Sequence, residues 1–124
     1  MLFTLDFSSA TPVYRQLRDQ VVLAVADGRL RPGQRLPAIR ALAEDAGVNA
    51  MTVSKAYQLL KAEGYLVTDR RAGAVVCNPG QRAGLDAEQT ARLRLLAGEA
   101  KLAGLGREEF VTLCGALYDT EREG

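Results

Sequence analysis

Residues 36–48 read L-P-A-I-R-A-L-A-E-D-A-G-V, and residues 49–55 continue N-A-M-T-V-S-K. Ile39, Leu42 and Ala43 recur at helical spacing, which predicts a short helix from about Ala38 to Glu44 or Asp45. Gly47 stops it, Val48 turns inward, and Asn49 can cap a second helix by accepting from the amide of Met51 or Thr52. That helix runs to Glu63 and ends at Gly64. Val53, Ala56, Tyr57 and Leu60, with Leu59 beside them, form its apolar side. Ala50, Met51, Ser54, Lys55, Gln58 and Lys61 fall opposite. Two short helices joined by A-G-V-N have the spacing of a helix-turn-helix.

The flanks extend this unit. Upstream, Thr11 offers a cap and Pro12 suits a first helical turn. Val13, Leu17, Val21, Ala24 and Val25 then recur on one face up to Gly28. Arg31-Pro32-Gly33-Gln34 reads as a turn and Arg35-Leu36 as a very short strand. Downstream, Y-L-V-T-D (65–69), R-R-A-G (70–73) and A-V-V-C (74–77) read as a β-hairpin. A helix-turn-helix preceded by a helix and followed by a hairpin is a winged helix. Asn78-Pro79-Gly80 marks a boundary.

Residues 81–124 read as a separate unit. Asp86-x-x-Gln89 is a capping-box pattern. Leu93, Leu96, Ala97, Ala100 and Ala103 form one stripe of the helix behind it, and Leu95 and Leu102 a second. After the Gly104-Leu105-Gly106 turn, Phe110, Leu113, Cys114, Leu117 and Tyr118 stripe a last helix. Two helices with apolar surface on several sides cannot bury it between themselves, which calls for a second copy of the chain. Packing back onto the first unit is the alternative.

Composition narrows the chemistry. The 124 residues contain no histidine and two cysteines, Cys77 and Cys114. This removes His-based triads and His-containing metal sites, and gives no disulfide framework. Walker and Rossmann glycine patterns are absent, so neither a cofactor nor a metal is expected. No apolar run approaches a membrane span, and the N-terminal stretch lacks the pattern of a signal peptide, so a cytoplasmic, nucleoid-associated protein is expected. The net charge of +1 is unevenly spread: residues 29–71 hold eight Lys/Arg and four Asp/Glu, a local +4. A basic middle points to a polyanion.

In a winged helix the second helix of the pair enters the major groove by its N-terminal residues. The groove is about 12 Å wide, so a small, unacidic first turn such as Asn49-Ala50-Met51-Thr52 suits it. Asn49 and Thr52 can meet base edges or phosphates, while Met51 can either pack or touch the duplex. Lys55 can neutralise a phosphate. Arg40 can fork onto guanine or a phosphate, or pair with Glu44. Arg70 and Arg71 sit at the hairpin tip, where Gly73 permits a close approach. Tyr57 belongs to the core stripe.

P-V-Y-R-Q-L (12–17), G-R-L-R-P-G-Q-R-L-P-A-I-R-A-L-A (28–43), G-V-N-A-M-T-V-S-K-A-Y (47–57), L-x-x-E-G-Y-L (60–66) and the R-R-A-G wing resemble the N-terminal domain of GntR-family bacterial transcription regulators. A-K-L-A-G-L-G-R-E-E-F (100–110) is similar to the two-helix domain of the YtrA subfamily. The resemblance implies a homodimer on a palindromic operator, usually a repressor and often of transporter operons. It implies DNA contacts at Arg40, Asn49, Thr52, Ser54 and Gly73. Relatives often carry Arg where this chain has Ala50, and their common wing, R-R-G-x-G-T, is one residue longer. The tail is too short for the ligand-binding domain of the larger subfamilies, so no separate metabolite pocket is expected, and the sequence does not name an effector.

The expected fold is therefore mainly α with a small β-hairpin: a winged helix over residues 1–77, a linker at 78–80 and a helical dimerisation domain over 81–124. The expected partners are double-stranded DNA and a second copy of the chain, with no membrane. The rival readings are a winged helix that binds protein instead of DNA, and a thiol sensor using Cys77 or Cys114.

Overall fold

The computed structural model describes residues 3–77 and 84–120. The order is α1 (Val13–Ala26), α2 (Ile39–Ala46), α3 (Ala50–Ala62), β1 (Leu66–Asp69), β2 (Gly73–Val76), α4 (Ala87–Leu102) and α5 (Arg107–Tyr118). The chain divides into two compact units, Met1–Gly80 and Gln81–Glu123. The expected linker, 78–80, lies outside the described residues.

The first unit is built around the apolar stripes of its three helices. Leu17, Val21 and Ala24 of α1 recur every three or four residues and are buried, as are Val53, Ala56, Tyr57 and Leu60 of α3. Leu42 and Ala43 of α2, Leu30, Leu36, and Leu66 and Val76 of the hairpin complete one core. Helix α2 starts at Ile39, one residue later than the sequence spacing predicts, and ends at Ala46, one or two residues later. Its C-cap, Gly47, has φ +73°, a left-handed conformation that L side chains rarely adopt. The chain then turns through the half-buried Val48, whose amide donates to Ala43 O at 3.0 Å.

Asn49 caps α3 as expected: its Oδ1 accepts from Thr52 N at 2.8 Å. Thr11 does not cap α1. Pro12 occupies that position, and no side chain caps the helix. The hairpin pairs Leu66 with Val76, Val67 with Val75, Thr68 with Ala74 and Asp69 with Gly73, so its second strand begins at Gly73, one residue earlier than expected. Arg35 bridges Val75 on the other edge of β2, where the short Arg35-Leu36 strand was expected.

Two ties span long sequence distances. Phe3 is buried in the core, and the backbone after it is held by two amides of α1. Gln20 Oε1 accepts from Thr4 N at 2.9 Å, and Gln16 Oε1 from Asp6 N at 2.8 Å. Arg18 donates two parallel bonds to the Glu63 carboxylate, at 2.8 and 2.9 Å, joining α1 to the end of α3. Those bonds hold the Arg18 guanidinium even more firmly protonated than usual.

In the second unit, α4 opens with a true capping box: Asp86 Oδ1 accepts from Gln89 N at 2.8 Å, and Gln89 Oε1 from Asp86 N at 3.0 Å. At α5, Glu109 Oε1 accepts from Gly106 N at 3.1 Å. Neither helix has a buried residue. Ala97, Ala100, Leu105 and Phe110 line a small hollow between them and are only partly covered.

Candidate nucleic-acid interface

The helix-turn-helix leaves one side of α3 uncovered. Met51 is 80% exposed on it, so of its two expected options the packed one is excluded. Ala50 is also exposed. Asn49 and Thr52 are chemically complementary. Asn49 Oδ1 takes both the Thr52 amide at 2.8 Å and the Thr52 hydroxyl at 3.0 Å. The cap thus commits the oxygen of Asn49 and the proton of Thr52. What stays free to face a partner is an amide donor at Asn49 and a hydroxyl acceptor at Thr52.

Asn49, Met51, Thr52, Ser54 and Lys55 line a shallow cavity together with Tyr14 of α1. The Lys55 ammonium lies 4.2 Å from the centre of the Tyr14 ring, a cation–π contact. Lys55 is therefore steered toward the start of α1. Sequence periodicity had no means of finding Tyr14, because the contact joins two helices far apart in the chain.

On the other side of α3 a larger groove, about 570 Å³, runs between α3, the start of α2 and the hairpin. Arg40, Ser54 and Gly73 line it. Ser54 and Gln58 border both cavities, so the two form a continuous surface across α3. Gln58 and Lys61 belong to this surface as well. The sequence put them on the exposed side of α3 without singling them out.

The hairpin tip is fixed by its own backbone. The Asp69 carboxylate accepts from Arg71 N at 2.7 Å and Ala72 N at 3.2 Å, and these bonds hold its carboxyl below the usual carboxylate range. Gly73 follows with φ +75°, so this tight tip needs a glycine there. Arg70 and Arg71 are exposed at the tip.

Ion pairs among the described residues involve Arg18 with Asp19 and Glu63, and Arg29 with Asp27. Arg40, Lys55, Lys61, Arg70 and Arg71 thus have no carboxylate partner among the described residues, and the alternative pairing of Arg40 with Glu44 is not made. Tyr57, expected in the core, is 8% exposed, and its hydroxyl donates to Pro37 O at 2.7 Å. Burial pushes its phenol up to about 12.

A protein-family model for bacterial regulatory proteins of the gntR family matches residues 12–76. The chain belongs to the GntR family. Across 104 residues it is 35% identical to the HTH-type transcriptional regulator Rv1152 of Mycobacterium tuberculosis, covering 84% of each chain. Across 111 residues it is 32% identical to the HTH-type transcriptional repressor YtrA of Bacillus subtilis, covering 87% of this chain and 85% of that one. Similar solved structures include a transcriptional antiterminator from Listeria monocytogenes EGD-e, with a TM-score of 0.83, 27% identity, and 98% and 96% coverage. YtrA from Sulfolobus acidocaldarius, a GntR-family transcription factor, follows with a TM-score of 0.64, 35% identity, and 81% and 99% coverage. The AraR DNA-binding domain in complex with operator ORE1 matches over 60% of this chain and 92% of that one, with a TM-score of 0.52 and 25% identity. The likeness to YtrA thus extends beyond the winged helix into the helical tail, and the chain is of the YtrA-like type.

No helix among the described residues is long and apolar enough to cross a membrane. Cys77 and Cys114 are both half-buried free thiols, and Cys77 Sγ donates to Gly64 O at 3.0 Å.

Proposed function

We propose that this GntR-family DNA-binding transcription regulator is a homodimeric repressor that reads a palindromic operator and blocks polymerase from the cytoplasm. The supporting observation is the unpaired cationic surface of α2, α3 and the wing, where Arg40, Lys55, Arg70 and Arg71 find no carboxylate partner among the described residues. Cations left without partners on one face suit a polyphosphate.

In this reading residues 1–77 hold the duplex and residues 81–124 hold the second copy. Asn49, Ala50, Met51 and Thr52 open the reading helix in the major groove. Asn49 offers a donor and Thr52 an acceptor to base edges. Arg40 supplies the bidentate contact, Lys55 and the wing arginines meet phosphates, and Ser54 and Gly73 allow close backbone approach. Ala50 and Met51 carry no strong base donor, so Arg40 and operator shape carry much of the specificity. Two copies joined by their tails present two α3 helices about one turn of DNA apart, which demands a palindrome. The name of the Bacillus subtilis relative, a transcriptional repressor, supports repression.

The test is Arg40→Ala in duplex binding, with an operator selected from genomic fragments and a random duplex of equal length. Discrimination should fall by about 1–3 kcal/mol. Equal weakening on both duplexes would reduce Arg40 to a phosphate clamp.

A further inference from the structure

The groove between α3 and the wing is chemically richer than a phosphate track requires. A phosphate track needs cations and N–H donors. This groove also has an apolar lining, made by Ile39 of α2 and by Val67 and Ala74 of the hairpin. Val67, one of the lining residues, is 49% exposed, and a phosphate group offers nothing to pack on it. Its volume, about 570 Å³, lies inside the range of small-molecule sites, roughly 300–1,000 Å³. Two cations, Arg40 and Lys61, line it, and no Asp or Glu is among the described residues that do. Neither cation has an ion-pair partner among the described residues. The Tyr57 hydroxyl is already committed to Pro37 O, so Tyr57 adds ring surface and not a free donor.

We propose that this groove binds an amphipathic monocarboxylate, its apolar body against Ile39, Val67 and Ala74 and its carboxylate between Arg40 and Lys61. Charge complementarity selects an anion, and the apolar walls select against a bare one such as inorganic phosphate. The occupant would use the groove face of Arg40, Ser54 and Gly73, the same residues assigned above to DNA. Occupancy and duplex binding therefore exclude each other, which makes the ligand a releasing effector. This second step rests on the DNA reading; the first does not.

The experiment is calorimetric titration of the full chain with propionate, butyrate and 4-phenylbutyrate, with 4-phenylbutyramide as the neutral control. Affinity should climb with the apolar body, and the amide should bind at least about tenfold more weakly than the acid. Lys61→Gln and Val67→Asp, both at exposed positions, should each weaken 4-phenylbutyrate by about tenfold while circular dichroism stays unchanged. In a second measurement 4-phenylbutyrate should raise the apparent Kd for the selected operator, and Lys61→Gln should blunt that shift. No binding by any acid, equal affinity for acid and amide, or indifference to both variants would overturn the site. Binding without any change in operator affinity would overturn the competition. A chain that takes up 4-phenylbutyrate but binds no duplex in its absence would overturn the DNA reading and leave the groove standing.

Discussion

Helices α3 and α4 have similar lengths and similar signals at their starts, and they differ completely in burial. Each opens on a side-chain cap, Asn49 in one and Asp86 in the other. Yet α3 buries Val53, Ala56, Tyr57 and Leu60, while no residue of α4 is buried. Caps and propensity set where a helix begins; they do not decide what covers it. The stripe of α3 is narrow and meets α1, α2 and the hairpin. The leucines of α4 point several ways, with Leu93, Leu95, Leu96 and Leu102 all among the exposed large hydrophobics. On α5, Val111, Leu113, Leu117 and Tyr118 are exposed as well. The first unit closes its core within itself, and the second leaves apolar surface exposed, which the proposed dimer would cover.

The sharpest way to break that contrast is to put charge on the open helices. Leu96→Asp with Leu113→Asp alters two exposed positions, so each unit should keep its helical content. The proposed dimer should dissociate in sedimentation. Joining two half-site contacts raises affinity by about 10²–10⁴, and that factor should disappear on the palindrome while single half-site binding persists. A double variant that still sediments as a dimer would remove α4 and α5 from the interface.

The converse substitution tests the closed core. Leu60→Ala empties a position with 0% exposure in α3 and should cost about 2–5 kcal/mol in chemical denaturation. Leu102→Ala, at 90% exposure in α4, should cost close to nothing unless the dimer covers it. A comparable loss from both would show that Leu102 is buried in the assembly, and the concentration dependence of that loss would locate it at the interface.

Tyr57 divides core from surface more finely. An unfolded phenol ionises near pH 10, whereas that of Tyr57 is pushed up to about 12 by burial. Below the unfolded value both states hold the proton and stability is flat. As pH rises from about 10 to about 12, the unfolded state releases its proton first, so stability falls. Tyr57→Phe should flatten that alkaline decline relative to the parent. It should also cost about 1 kcal/mol at neutral pH, because Pro37 O loses its donor. An unchanged alkaline limb in the variant would assign the decline to other groups.

What could be read from the sequence follows the same division. The helix-turn-helix, the Asn49 cap, the core stripe through Tyr57, the wing and the Asp86–Gln89 box are local patterns, each written within a few residues. Features that join distant segments leave no periodic trace. The burial of Phe3, the hold of Gln16 and Gln20 on the N-terminal backbone, and the Arg18–Glu63 fork span separations that amphipathic spacing does not encode. Thr11 does not cap because Pro12, with φ −56° and ψ 146°, takes the N-cap position itself and not the first helical one, so α1 begins at Val13. The groove was invisible for a related reason: its apolar walls come from α2 and from the hairpin, and neither stretch alone predicts a cavity.

The smallest expected effect concerns the seam between core and surface at Tyr14. Its ring carries Lys55 at 4.2 Å, holding the ammonium against α1 instead of letting it sweep freely. A cation–π contact at a partly exposed site stabilises by about 0.5–1 kcal/mol. Tyr14→Leu should therefore cost little in denaturation, because an apolar side chain still covers that edge of α1. If the ring positions Lys55 for a phosphate, operator affinity should fall severalfold while the slope of log K against log salt stays the same, since the charge remains. Tyr14→Phe should restore the affinity, because it keeps the ring face. Lys55→Gln should instead reduce the slope by about one counterion. A Tyr14→Phe variant as weak as Tyr14→Leu would move the effect from the ring to the phenol hydroxyl. Tyr14 would then act as a donor in its own right and not as the support of Lys55.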